Sequence, residues 1–130
     1  MIVAYDGSDA ARRALERAAR LAGRGGVVEV VNVIPTQAVS SRLVTITDEQ
    51  DRAQKRLLRE AEALLASQSV RADLIAAAGD PATEILSAAE ESDAELIVVG
   101  RKRRRVGRLR HEPLSATLSR RTSRDVLIVH

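Results

Sequence analysis

The chain has 130 residues, with 21 Lys and Arg against 18 Asp and Glu for a net charge of +3, a length that fits one domain spanning 1–130. Hydrophobic residues make up 45% and charged residues 30%, which argues against both a disordered and a membrane-spanning chain. Cysteine is absent, which excludes disulfides, zinc–thiolate centres and thiol nucleophiles. His111 and His130 are the only histidines, too few for a His-based metal cage, and Tyr5 is the only aromatic residue. The core must therefore be aliphatic, and no aromatic platform exists for stacking single-stranded bases.

Ile2–Tyr5 reads as a first strand, followed by the turn Asp6-Gly7-Ser8-Asp9. Ser8 can cap a helix with the apolar stripe Ala11, Ala14, Leu15, Ala18, Leu21 and Ala22, which ends at Gly23, Gly25 and Gly26 because glycine takes the left-handed C-cap conformation without steric cost. Val27–Ile34, rich in β-branched residues, is a second strand stopped by Pro35. After a polar linker, Thr47-Asp48-Glu49-Gln50 has the capping-box pattern, and Leu57, Leu58, Ala61, Leu64 and Leu65 form one helical face. Val70–Ala77 is the third strand. Asp80 is the expected N-cap of a third helix, with Pro81 at its first position and Ala82, Ile85, Leu86 and Ala89 inward. Leu96–Val99 is a fourth strand ending at Gly100, Pro113 starts a short helix with Leu114 and Leu118 inward, and Val126–Val129 is the fifth strand.

No basic segment or long apolar stretch follows Met1, so a signal peptide is not expected and the cytoplasm is the expected address. The longest apolar runs, Leu74–Ala78 and Leu96–Val99, fall far short of the ~20 residues that span a bilayer. Strands alternating with helices imply βαβ units with right-handed crossovers, hence an α/β doubly wound parallel sheet covered by helices on both faces. In such sheets ligands bind beyond the carboxyl ends of the strands, where the strand order reverses. Asp6-Gly7-Ser8, Val33-Ile34 and the loop after Gly100 are thus the functional edge.

Seven bases and no acid lie between Arg101 and Arg110, leaving 14 bases against 18 acids elsewhere. The basic character is local. A run of this kind is ordinarily a solvated loop; its functional reading is an anion site, since a concentrated positive field attracts phosphates and guanidinium groups bind them bidentately. Asp6 likewise has two readings, a turn-shaping or capping acid and a ligand contact at the crevice. Ser8 and Ser115 have no neighbouring base, so neither is a credible nucleophile. No recognition-helix motif accompanies the Arg run, and nucleic acid is not an expected partner.

Taken together, Ile2-Val3-Ala4-Tyr5-Asp6-Gly7-Ser8, Val30-Val31-Asn32-Val33-Ile34-Pro35, Gly79-Asp80-Pro81-Ala82, Ala94-Glu95-Leu96-Ile97-Val98-Val99-Gly100 and Val126-Leu127-Ile128-Val129 resemble the universal stress protein (UspA) family over essentially the whole chain. The resemblance implies a Rossmann-like five-stranded sheet of order 3-2-1-4-5 and a homodimer formed by antiparallel pairing of Val126–Val129, an edge that would otherwise be exposed. Some family members bind ATP, with phosphates on a G-x2-G-x9-G-[S/T] loop, and others do not.

Carried onto this chain, the implied cofactor site comprises Ala4, Tyr5 and Asp6, with Asp6 on the adenosine side, and the backbone of Val33. Val99, Gly100, Arg101, Arg103 and Gly107 follow in the phosphate loop, then Pro113 and Leu114. No catalytic or metal-binding residue is implied. The loop departs from the family pattern: Arg103 stands at the second glycine and Glu112-Pro113 at the glycine–hydroxyl pair. Val106-Gly107-Arg108-Leu109 is similar to a basic variant of the loop. Glycine lets backbone amides close on a phosphate, proline has no N–H to offer, and Glu112 puts a carboxylate where a phosphate should sit. The expected function is therefore a non-catalytic, dimeric stress-response or regulatory protein with a degenerate ATP-binding loop and no cofactor. The alternative is a nucleotide or polyphosphate sensor that holds ATP or a similar anion through Arg101–Arg110.

Overall fold

The structure is a computed structural model that describes residues 1–36, 45–102 and 112–130. Five strands, β1 (Ile2–Ala4), β2 (Val27–Pro35), β3 (Arg71–Gly79), β4 (Leu96–Gly100) and β5 (Asp125–Val129), alternate with four helices, α1 (Asp9–Ala22), α2 (Asp48–Ser67), α3 (Pro81–Glu91) and α4 (Leu114–Arg121). The strands form one sheet in the order β3-β2-β1-β4-β5 with every neighbouring pair parallel. The expected Rossmann-like order 3-2-1-4-5 is therefore the observed one, and the order reverses at β1 and β4.

Period-two alternation sends Val3, Tyr5, Val28 and Val30 to the face covered by α1 and α2, where they pack with Leu15, Leu58 and Leu65. Ile2, Val31, Ile97 and Val99 take the opposite face, against Ile85 of α3 and Leu118 of α4. Because both faces are covered, the central strands read as continuous apolar runs. The helix starts follow their sequence signals. Ser8 Oγ accepts the Ala11 N–H at 3.2 Å, and Thr47 and Gln50 bond reciprocally at 3.0 and 3.1 Å. Asp80 Oδ2 accepts the Thr83 N–H at 3.0 Å, with Pro81 opening α3. No described helix is long and apolar enough to cross a membrane.

The differences from the sequence reading are local. β1 ends at Ala4, yet the Tyr5 N–H still donates to Val31 O at 2.9 Å. β2 runs through Pro35, its last residue, where a missing donor costs the ladder little; Pro35 is paired with Gly79, to which β3 extends. Leu21 is 52% exposed rather than inward. It lies at the edge of the apolar arc in the last turn of α1, and Ala10 and Ala19 complete the buried stripe instead.

Candidate functional site

The carboxyl ends of β1, β2 and β4 open onto a crevice of about 640 Å³ that also reaches the starts of α3 and α4. On one side stands Asp6, two residues past β1. Gly7 turns the chain there at φ +81°, and the Ser8 N–H donates to Asp6 Oδ1 at 3.0 Å. The same Ser8 caps α1, so a single residue fixes both the carboxylate and the helix start. Asp6 Oδ2 is paired with the Lys102 ammonium across the end of β4. Partial burial works to raise the Asp6 pKa, but the hydrogen bonds from Lys102 and Ser8 outweigh it and hold the carboxyl below its ordinary range.

Gly100 has a structural reason to be glycine. A Cβ there comes 3.0 Å from Ala10 Cβ and closer still to the Ala10 carbonyl. The end of β4 is thus pressed against the first turn of α1. Behind the crevice lies a buried polar network that joins three strands to α2. Asn32 Nδ2 donates to Tyr5 O at 2.8 Å. Gln54 Nε2 reaches Asn32 O at 2.9 Å and Ala77 O at 2.8 Å. Tyr5 turns its ring away, into the core under α1 and α2, where its hydroxyl donates to Glu60. Arg12 completes that cluster at 2.9 Å from Glu60. Burial and then Glu60 raise the Tyr5 phenol pKa.

The opposite wall carries charges that are already matched. Arg121 lies 3.7 Å from Asp80 and donates to Thr83 Oγ1 at 3.3 Å. Glu112 accepts from Arg120 at 2.6 and 3.2 Å and from Thr117 Oγ1 at 3.0 Å, and the Arg120 bonds lead in holding its carboxyl below the ordinary range. Glu112, the carboxylate that the sequence sets beside the expected phosphate position, is thus ion-paired with Arg120. Pro113 is the N-cap of α4, and among the described residues no side chain makes a capping bond to that helix. Ser115, in its first turn, is buried at 7% exposure and lines the crevice.

Of the residues named from the sequence, Ala4, Tyr5, Asp6 and Val33 meet at the crevice on the β1–β2 side, and Val99, Gly100, Pro113 and Leu114 on the other. Arg101 does not line it; its side chain is exposed and its N–H donates to Val129 O at 2.8 Å. Arg103 and Gly107 lie outside the described residues. Asn32, Gln54 and Arg121 are not among the residues that the sequence points to, and Lys102 enters there only as one of the seven bases of the Arg101–Arg110 run. Two of them had a signal: Asn32 interrupts an apolar run, and Gln54 precedes Leu58, Ala61 and Leu65 at helical spacing on the buried face. Among the described residues no cluster of three His, Cys, Asp or Glu side chains is arranged to hold a metal ion.

The whole chain, residues 1–130, matches the sequence pattern of the universal stress protein family. It is 34% identical over 113 residues to the universal stress protein YxiE of Bacillus subtilis (strain 168), covering 77% of this chain and 76% of that one. Among solved structures, a universal stress protein in complex with cAMP superposes with a TM-score of 0.79 at 27% identity, covering 99% of this chain and 94% of its own. The universal stress protein from Archaeoglobus fulgidus in complex with dAMP gives 0.76 at 25% identity, with 99% and 95% covered. Sequence and fold agree along the full length: this chain belongs to the universal stress protein family.

Proposed function

We propose that this chain is a non-catalytic, cytoplasmic stress-response protein whose crevice holds an adenine mononucleotide of the AMP type and has lost its grip on the tail of ATP. The observation that carries this reading is Asp6, fixed by the Ser8 N–H at the β1 end of a crevice of about 640 Å³. That volume falls in the range of roughly 300–1,000 Å³ usual for small-molecule sites, and the place is where open α/β sheets take their ligands. The relatives bound to cAMP and dAMP support a ligand with one phosphate. On this reading Asp6 accepts a ribose hydroxyl, and the backbone of Val33 lies along the base.

A single phosphate finds the first-turn amides of α4, which have no intrahelical partner, and the buried Ser115 hydroxyl. A triphosphate finds neither an N–H nor a hydroxyl at Pro113, and each charge-assisted bond lost removes about 1.5–3 kcal/mol. ATP is accordingly a poor ligand. A homodimer through antiparallel pairing of Val126–Val129 belongs to the same reading, since β5 ends the sheet and Val126, Leu127 and Ile128 are half-buried. Lys102, the described member of the Arg101–Arg110 run that lines the crevice, favours the second reading, a polyphosphate or nucleotide sensor built on that run.

Calorimetric titration of the purified protein with AMP, Mg·ATP and short-chain polyphosphate separates these. AMP binding at micromolar concentration, with Mg·ATP at least about tenfold weaker, is expected. Micromolar Mg·ATP binding overturns the degenerate loop, tighter polyphosphate binding selects the sensor, and no AMP binding by the folded protein overturns the mononucleotide site. Sedimentation equilibrium is expected to give a dimer of the 14.1 kDa chain. Steady ATP turnover abolished by Asp6→Ala would contradict the non-catalytic reading.

A further inference from the structure

Resting on the mononucleotide reading, we propose that Lys102 selects the ligand by charge: it pairs with Asp6 until a nucleotide enters, then passes to the phosphate, so the crevice takes a nucleoside monophosphate in preference to the nucleoside. Asp6 is committed on both oxygens, Oδ1 to the Ser8 N–H at 3.0 Å and Oδ2 to the Lys102 ammonium. Each oxygen can accept once more, but a ribose hydroxyl that bonds Asp6, a side chain 44% exposed, does so in competition with that cation.

A neutral nucleoside offers that cation nothing in return. A phosphate offers it a dianion, and the exchange leaves both protein charges paired, Asp6 with the ribose hydroxyl and Lys102 with the ligand's own charge.

The chain around Lys102 is built for such a transfer. The preceding residue is tied down, with the Arg101 N–H donating to Val129 O at 2.8 Å, so the backbone origin of the side chain is fixed. The side chain itself is 67% exposed and swings about a four-carbon stem without disturbing the core. Arg121, the other described base at the crevice, is already engaged by Asp80 and Thr83. Arg101 does not reach it. Lys102 is thus the described base at the Asp6 end, and the start of α4, which favours negative charge, borders the same crevice.

The test is isothermal calorimetry at constant ionic strength with AMP and adenosine as the two probes. The proteins are wild type, Lys102→Met, and Lys55→Met as a control for a base lost from the exposed surface of α2, where it pairs with Asp51. Wild type and Lys55→Met are expected to prefer AMP. In Lys102→Met, AMP binding weakens about tenfold, the worth of one charge-assisted contact. Adenosine binding tightens by up to about fivefold, the worth of an exposed ion pair no longer broken. The ratio of the two affinities therefore falls by more than tenfold. A ratio within about twofold of wild type overturns the role of Lys102 while leaving the AMP site standing. Failure of wild type to bind either probe overturns the site reading and the inference together.

Discussion

Replacing Gly100 by alanine tests whether the back of the crevice depends on α1 lying directly against β4. The added methyl meets the Ala10 carbonyl and lies 3.0 Å from Ala10 Cβ. Its neighbour is main chain, which cannot rotate aside. Ala10 is 6% exposed, and Ala11 and Ala14 beside it are buried at 5% and 0%, so α1 must shift as a unit across a closely packed surface. Overpacking of this kind costs about 1–3 kcal/mol, and a backbone obstacle places Gly100→Ala near about 3 kcal/mol. With a urea m-value of about 2 kcal/mol/M, the unfolding midpoint should fall by about 1.5 M.

Urea unfolding followed both by far-ultraviolet circular dichroism and by the emission of Tyr5, the single aromatic residue and 2% exposed, measures this. Gly7→Ala is the comparison. Its Cβ lies 2.6 Å from Leu57 Cδ2, the end of a flexible side chain, and its cost of about 1–2 kcal/mol comes from φ +81°. A midpoint for Gly100→Ala within about 0.3 M of wild type, or above that of Gly7→Ala, refutes the argument from close approach.

The Tyr5 phenol is raised by burial first and by Glu60 second, so its alkaline absorbance titration should lag that of the unfolded chain. Glu60→Gln should lower it in part, leaving the larger effect of burial in place. Since the folded value is the higher one, this contact's stability is full below about pH 10 and is lost as pH rises through the folded value; an unshifted titration in wild type contradicts it. Asp6 is held low by Lys102 and Ser8 against the opposing effect of burial, Asp80 by the Thr83 N–H, Glu60 by Tyr5 and Glu112 by Arg120. The native state therefore binds fewer protons than the unfolded one in acid, and stability present above about pH 4.5 declines as pH falls through the depressed values. Urea midpoints measured at descending pH check this, and a midpoint that holds steady below about pH 4 counts against it. Gln54→Leu keeps the bulk of the side chain but withdraws the donor from Asn32 O and Ala77 O, with an expected loss of about 1–2 kcal/mol by urea unfolding. A change under about 0.5 kcal/mol shows that water replaces the amide.

The sequence by itself determined the order and kind of the elements. Apolar runs such as Leu96–Val99 can be buried on both faces only in a covered parallel sheet, and Ser8, Thr47 and Asp80 announced the helix starts because a cap bonds an amide three residues ahead. The caps are local chemistry, and local chemistry is written in consecutive residues. The crevice was legible as a place, from Asp6 and Gly100 at strand ends, but not as a set of contacts. That Lys102 reaches Asp6 depends on the pairing of β4 with β1 and on the anchoring of Arg101 to Val129, both set by strands distant in sequence. Pairing of Glu112 with Arg120 needed about two turns of α4 between them, and the requirement for glycine at position 100 needed α1 laid across β4. Only the tertiary structure decided these, because distances between residues far apart in the chain are fixed by the packing of whole elements rather than by any residue's neighbours.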